Sequence, residues 1–137
     1  NRHEPHLMHI VSYVEERYKI NVYEGRNYGE LYDLTQDNGE HNNLWDDENH
    51  SQIKIDMLFR YLCAEMSKDK IDKMDVKIKN YQITIDSKAK TAKLLCENGN
   101  DIWNDSSYSN EKIEILLAII SERIGSRKMW MPRIAGA

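Results

Sequence analysis

The stretch "GELYDLTQDNGEHNNLWDD", Gly29–Asp47, joins an aromatic strand segment to a turn-forming loop, a Leu-Trp pair and two aspartates. Tyr28 to Leu34 alternates as a half-buried strand does. Asn38-Gly39 signals a turn within Thr35–Asn43, because both residues tolerate left-handed backbone. Gly39 is expected to permit the change of direction. Asp46, Asp47 and Glu48 then place negative charge where a helix N-terminus favours it. The helix itself is predicted over Asn49 to Ser67, with Ile55, Leu58, Leu62 and Met66 forming an apolar stripe.

Working outward, Leu7 to Val14 and Tyr18 to Tyr23 read as two strands before this one, joined by short polar turns. Gly25 is available for a positive φ between the second and third. The three form an antiparallel meander. After a charged connector, Lys68 to Lys73, the plan recurs. "VKIKNYQITI" reads as one or two strands, "DSKAK" as a turn and "TAKLLCE" as another strand. "NEKIEILLAIISERI" is a helix, with Ser109 as its N-cap, Gly125 as its stop, and an irregular basic tail beyond.

The two halves overlay. Tyr18-Lys19-Ile20 falls on Tyr81-Gln82-Ile83 (81 − 18 = 63), and Leu31 falls on Leu94 at the same shift. After the shorter second loop, "NNLWDD" falls on "NDIWND" (103 − 45 = 58), so Trp45 meets Trp103 and Asp47 meets Asp105. Ser51, Lys54, Ile55, Leu58, Leu62 and Met66 meet Ser109, Lys112, Ile113, Leu116, Ile120 and Ile124. A constant shift through a loop and a whole helical stripe points to duplication. The plainer alternative is that strand-loop-helix units resemble one another under loose matching.

With 137 residues, 40% hydrophobic and 31% charged, the chain suits a globular fold of one domain or two small ones. A formal charge of −4 gives no nucleic-acid footprint. The longest apolar run, Ile113 to Ile120, is interrupted by Glu114 and is too short to span a bilayer. Cys63 and Cys96 give neither a disulfide framework nor a metal spacing, and read as buried thiols. The chain starts at Asn1 rather than methionine, as a fragment or processed product would.

Arg17-Tyr18-Lys19-Ile20, Glu30-Leu31-Tyr32-Asp33-Leu34, Asp37-Asn38-Gly39-Glu40 and Asn43-Leu44-Trp45 follow one another in a recognisable order. This stretch resembles the C-terminal region of sulfatases, the arylsulfatase branch of the alkaline-phosphatase superfamily. The resemblance covers about the first half of the chain, with an echo in Met131-Pro132-Arg133. Asn38 stands where that family has proline, and Val76 to Ile124 is outside the usual pattern.

The resemblance implies an N-terminal α/β domain that this chain lacks, and that domain is the expected partner. It would carry a cysteine or serine converted to formylglycine, within Cys/Ser-x-Pro-x-Arg, and the residues that bind calcium. Neither cysteine nor any serine here fits that motif: Cys63 precedes "AEMS" and Cys96 precedes "ENGN". The formylglycine hydrate would attack sulfur while calcium stabilised developing charge. The nearest enzymatic alternative is a phosphonate monoester or phosphodiester hydrolase of the same superfamily. The non-enzymatic alternative is an interaction module.

No catalytic residue and no metal ligand is therefore assigned in this chain. Leu31, Asp33, Asp37, Gly39, Leu44, Trp45 and Trp103 are expected to be structural, clamping sheet to helix. His41, Asp46, Asp47, Glu48 and His50 have metal-ligand chemistry but no recognised spacing, and capping accounts for the acids. Arg2, His3, His6 and His9 would suit an anionic substrate in a whole sulfatase, although a solvated loop is the plainer reading. Arg123, Arg127, Lys128 and Arg133 around Trp130 read as a docking segment for the other domain rather than a nucleic-acid patch.

The expectation is an α+β fold of antiparallel strands and two main helices. Residues 1–70 form a meander plus helix, and residues 71–137 form a second, related hairpin-helix unit. Function is expected to be support of a sulfate-ester hydrolase, with no turnover by this chain alone. Compartment and oligomeric state are left open.

Overall fold

The computed structural model describes the backbone of residues 10–136 and the side chains of residues 10–123. The fold is α+β, with two antiparallel three-strand sheets and two main helices. β1 (Ile10–Glu15), β2 (Tyr18–Tyr23) and β3 (Gly29–Asp33) form the first sheet in sequential order. A 3-10 turn at Glu48–His50 leads into α1 (Ser51–Lys68). β4 (Lys73–Ile78), β5 (Tyr81–Asp86) and β6 (Thr91–Leu95) form the second sheet. A second 3-10 turn, Ser106–Tyr108, leads into α2 (Ser109–Gly136).

"VKIKNYQITI" thus spans parts of two strands, and each sheet is a three-strand meander rather than a hairpin. The pairing registers correspond. Ile10 faces Tyr23 as Lys73 faces Asp86, and Ile20 faces Leu31 as Ile83 faces Leu94.

Alternation sends Ile20, Val22 and Leu31 to one face of the first sheet, and Ile83, Ile85 and Leu94 to one face of the second. These residues share a single core with Ile55, Leu58, Leu62 and Met66 of α1 and Ile113, Leu116 and Ile120 of α2. The helices pack against each other. Full burial of each such aliphatic side chain stabilises by roughly 1.5–3 kcal/mol.

α1 ends where Lys70 adopts a φ of 59° and the Ile71 amide donates back to the Met66 carbonyl. That is the closing hydrogen bond of a left-handed helix cap, made here without glycine.

Two helix-end expectations are corrected. Ser109 is the first residue of α2, and Asp105 does the capping, its carboxylate accepting from the Ser107 amide at 3.0 Å. Gly125 does not stop α2, which continues to Gly136 where an irregular tail was expected. Glycine within a helix costs only about 1 kcal/mol, and the Arg, Lys and Met that follow are good helix formers. Among the described residues no helix is long and apolar enough to cross a membrane.

Candidate functional site

The loop between β3 and α1 gathers the residues singled out in the sequence. Asp33 closes β3. The Arg17 guanidinium straddles its carboxylate, with Nε 3.1 Å from each oxygen and Nη2 2.8 Å from Oδ2. Thr35 adds its amide at 3.1 Å and its hydroxyl at 2.7 Å, both donating to Oδ1. Arg17, and then Thr35, hold the Asp33 carboxyl well below the usual carboxylate range, against a desolvation that pushes the other way. Asp33 is buried although half of Arg17 is open to solvent.

Asp37 builds the next turn. Its two oxygens accept from the amides of His41 (3.0 Å) and Asn42 (2.7 Å), which lowers its pKa. The residue that turns left-handed is Glu40, with φ 57°, and not Gly39. The Glu40 carboxylate meets Lys19 Nζ at 3.2 Å and so ties the turn to β2. A side chain at Gly39 would meet only the exposed His41 ring, at 2.5 Å. The expectation for Gly39 is therefore corrected: Asn-Gly marks the turn, but the strained backbone lies one residue later. Gly25 does adopt a positive φ, 75°.

Asn43 latches the loop to the sheet. Its Oδ1 accepts from the Leu31 amide at 3.0 Å and the Trp45 amide at 2.9 Å, while Nδ2 donates to the Gly29 carbonyl at 3.3 Å. The Leu44 amide donates to the Leu31 carbonyl at 2.7 Å. Half-buried Leu44 packs against the core and buried Trp45 belongs to it. Lys54 Nζ donates to the Trp45 carbonyl at 2.5 Å and lies 4.4 Å from the centre of its ring. Burial depresses the Lys54 pKa.

The second half repeats this with Asp101 in place of Asn43. Asp101 Oδ1 accepts from the amides of Leu94 (3.0 Å) and Trp103 (3.1 Å), and the Ile102 amide donates to the Leu94 carbonyl at 2.7 Å. Trp103 is half-buried, 5.2 Å from Phe59 and 5.9 Å from Lys112 Nζ. Burial also depresses Lys112.

Two positions that matter here escaped the sequence reading as clamp residues. Asn43 appeared only as part of a motif, and Gly29 only as the first letter of the quoted stretch. A Cβ at Gly29 would lie 2.2 Å from the Asn21 carbonyl oxygen and 2.9 Å from the Trp45 ring. The signal for Asn43 was present, since its counterpart in "NDIWND" is another side chain with an acceptor oxygen.

Asp47 is spent on capping. It accepts from the Asn49 amide at 2.9 Å and contacts His50 Nδ1 at 3.1 Å. Among the described residues no three His, Cys, Asp or Glu side chains are grouped to hold a metal. Burial pushes the Cys63 thiol up, and Cys96 Sγ contacts Asn98 at 2.7 Å. Arg123 pairs with Asp69, tying α2 to the end of α1. Arg2, His3, His6 and His9 lie outside the described residues, as do the side chains of Arg127, Lys128, Trp130 and Arg133. These bonds tie a loop, a sheet edge and a helix start to one another.

No family model matches the chain, and neither a curated protein nor a solved structure matches it.

Proposed function

We propose that this chain is the C-terminal subdomain of a sulfatase-type hydrolase of sulfate esters. It supports the catalytic domain and does not itself cut the ester. What carries the reading is that the residues bearing the resemblance hold one another. Arg17 grips Asp33, Lys19 meets Glu40, Asp37 gathers the amides of His41 and Asn42, and Asn43 secures Leu31. A sequence signature made of mutually bonded partners is a folding device, which explains why it occurs here without a nucleophile.

A calcium ion takes six to eight oxygen ligands, and three carboxylates of this loop are already engaged within the chain. Asp33 is occupied by Arg17, Asp37 by two amides and Asp47 by its cap. In this reading the metal and the formylglycine belong to the N-terminal domain. The matching plan of the two halves reads as a duplication of one meander-loop-helix unit.

The coding sequence upstream of Asn1 is the test. A Cys/Ser-x-Pro-x-Arg motif is expected there, and a complete reading frame without one rejects the proposal. Turnover of an aryl sulfate by the whole protein, none by this chain, and weaker turnover of a phosphonate monoester complete the expected pattern.

A further inference from the structure

Asn-Gly occurs twice in the chain, at Asn38-Gly39 and at Asn98-Gly99, once in each half. An asparagine followed by glycine can lose its side-chain amide without an enzyme. The main-chain nitrogen of the glycine attacks the asparagine Cγ, and a residue with no Cβ hinders that approach least. Both pairs follow an acidic residue, Asp37 or Glu97, and both are exposed. The neighbours are alike and water reaches both, so what separates the two sites is how each loop is bonded.

In the second half the reacting groups are engaged. The Gly99 amide donates to the Cys96 carbonyl at 2.8 Å, and Asn98 Oδ1 accepts from the Asn100 amide at 3.1 Å and from Cys96 Sγ at 2.7 Å. A Cβ at Gly99 would meet nothing within 4 Å. In the first half the turn closes around the pair without using it. The Glu40 amide donates to the Asp37 carbonyl at 3.0 Å, and the Asp37 carboxylate takes the amides of His41 and Asn42. Among the described residues neither the Asn38 side chain nor the Gly39 N–H has a hydrogen-bond partner. Where a Cβ of residue 39 would sit, the His41 ring lies instead, its Nε2 2.5 Å from that point. An imidazole so placed can take the proton that the Gly39 nitrogen must shed.

We propose that Asn38 is a site of spontaneous modification to aspartate and isoaspartate, with His41 as the proton acceptor. The Gly39 nitrogen gives its proton to the imidazole and bonds to Asn38 Cγ. The Cγ–Nδ2 bond breaks, and Nδ2 leaves as ammonia, taking the proton back from the imidazolium. The product is a cyclic succinimide, which one water opens. Cleavage at Cγ leaves aspartate. Cleavage at the main-chain carbonyl leaves isoaspartate, whose chain runs on through Cγ. Asparagine and water are consumed, ammonia and a carboxylic acid are formed, and nothing is oxidised or reduced. Isoaspartate lengthens the main chain by a methylene inside the turn that Asp37 holds. Either product adds a negative charge between Asp37 and Glu40.

The test incubates the 137-residue chain at neutral pH and follows positions 38 and 98 by peptide mapping, against synthetic aspartyl and isoaspartyl standards. Asn38 is expected to convert on the order of tenfold faster than Asn98, the factor that one engaged hydrogen bond supplies, with isoaspartate among its products. Equal rates, or faster loss at Asn98, overturn the proposal. So does aspartate without isoaspartate at position 38, which marks direct hydrolysis of the side chain. In concentrated urea the two rates should converge. A difference that persists there belongs to the neighbouring residues rather than the fold, and also overturns the proposal. That comparison needs no variant to fold. His41→Gln keeps the main-chain bonds of residue 41 and is expected to slow conversion at Asn38 several-fold in the folded chain, with Asn98 unchanged. An unchanged rate at Asn38 overturns the role given to His41.

Discussion

A methyl group added at position 29 would press on the Asn21 carbonyl and the Trp45 ring, whereas one at position 39 would press only on the His41 side chain. Backbone and a buried indole cannot give way; a surface imidazole can. Gly29→Ala is therefore expected to destabilise by about 2–4 kcal/mol, and Gly39→Ala by less than about 1 kcal/mol, in urea unfolding. The sequence suggested the opposite emphasis. Asn38-Gly39 is a local signal and reads directly, but the constraint at Gly29 comes from Trp45, which reaches it only through the folded loop. Asp33 supplies a second residue-scale expectation. Its folded-state pKa is depressed, so the unfolded chain binds more protons as pH falls. Its contribution is complete above the unfolded value of about 3.9 and is lost as pH drops through the folded value. Asp37, Asp86 and Asp105 are depressed as well and add to the same acid-side slope. Asp33→Asn should lower the urea midpoint at pH 7, with the gap from the parent protein narrowing only as pH falls below the unfolded value of about 3.9.

At the scale of the element, the latch between β3 and the loop is the part on which the helix start depends. Asn43→Ala leaves the amides of Leu31 and Trp45 without their acceptor, at a cost of about 1–3 kcal/mol. Asn43→Asp is expected to retain more than half of that, because Asp101 does the same work in the second half; only the bond to the Gly29 carbonyl is lost. Paired urea curves for the two variants check this, and equal losses would reject the equivalence. Strand and helix identities were legible, since Ile20-Val22 and Ile55-Leu58-Leu62 carry clean periods of two and of three to four. The ends were less so. At α2 the serine expected to cap already lies inside the helix, and Asp105 takes its place through a 3-10 turn that no periodicity reveals. Gly125 was read as a stop by its type alone, and a single glycine costs a helix only about 1 kcal/mol.

For the whole molecule, one core shared by both sheets and both helices makes the halves interdependent. Leu58 and Leu116 are fully buried at corresponding places on α1 and α2. Leu58→Ala and Leu116→Ala should each cost about 2–5 kcal/mol, and each should lower one common thermal transition rather than split it in two. Two separated transitions in calorimetry would show independent units. The α+β class was readable because each half writes its own strand and helix periods. The pairing of Arg17, in the turn between β1 and β2, with Asp33 at the end of β3 needed the fold.

The placement of the two indoles has a spectroscopic consequence. Trp45 is sealed beneath the Lys54 ammonium, and Trp103 stands half-open beside Phe59. With Trp130 changed to phenylalanine, each half carries a single native emitter, one shielded from acrylamide and one quenched by it. Fluorescence would then report the opening of either half separately, in an unlabelled protein.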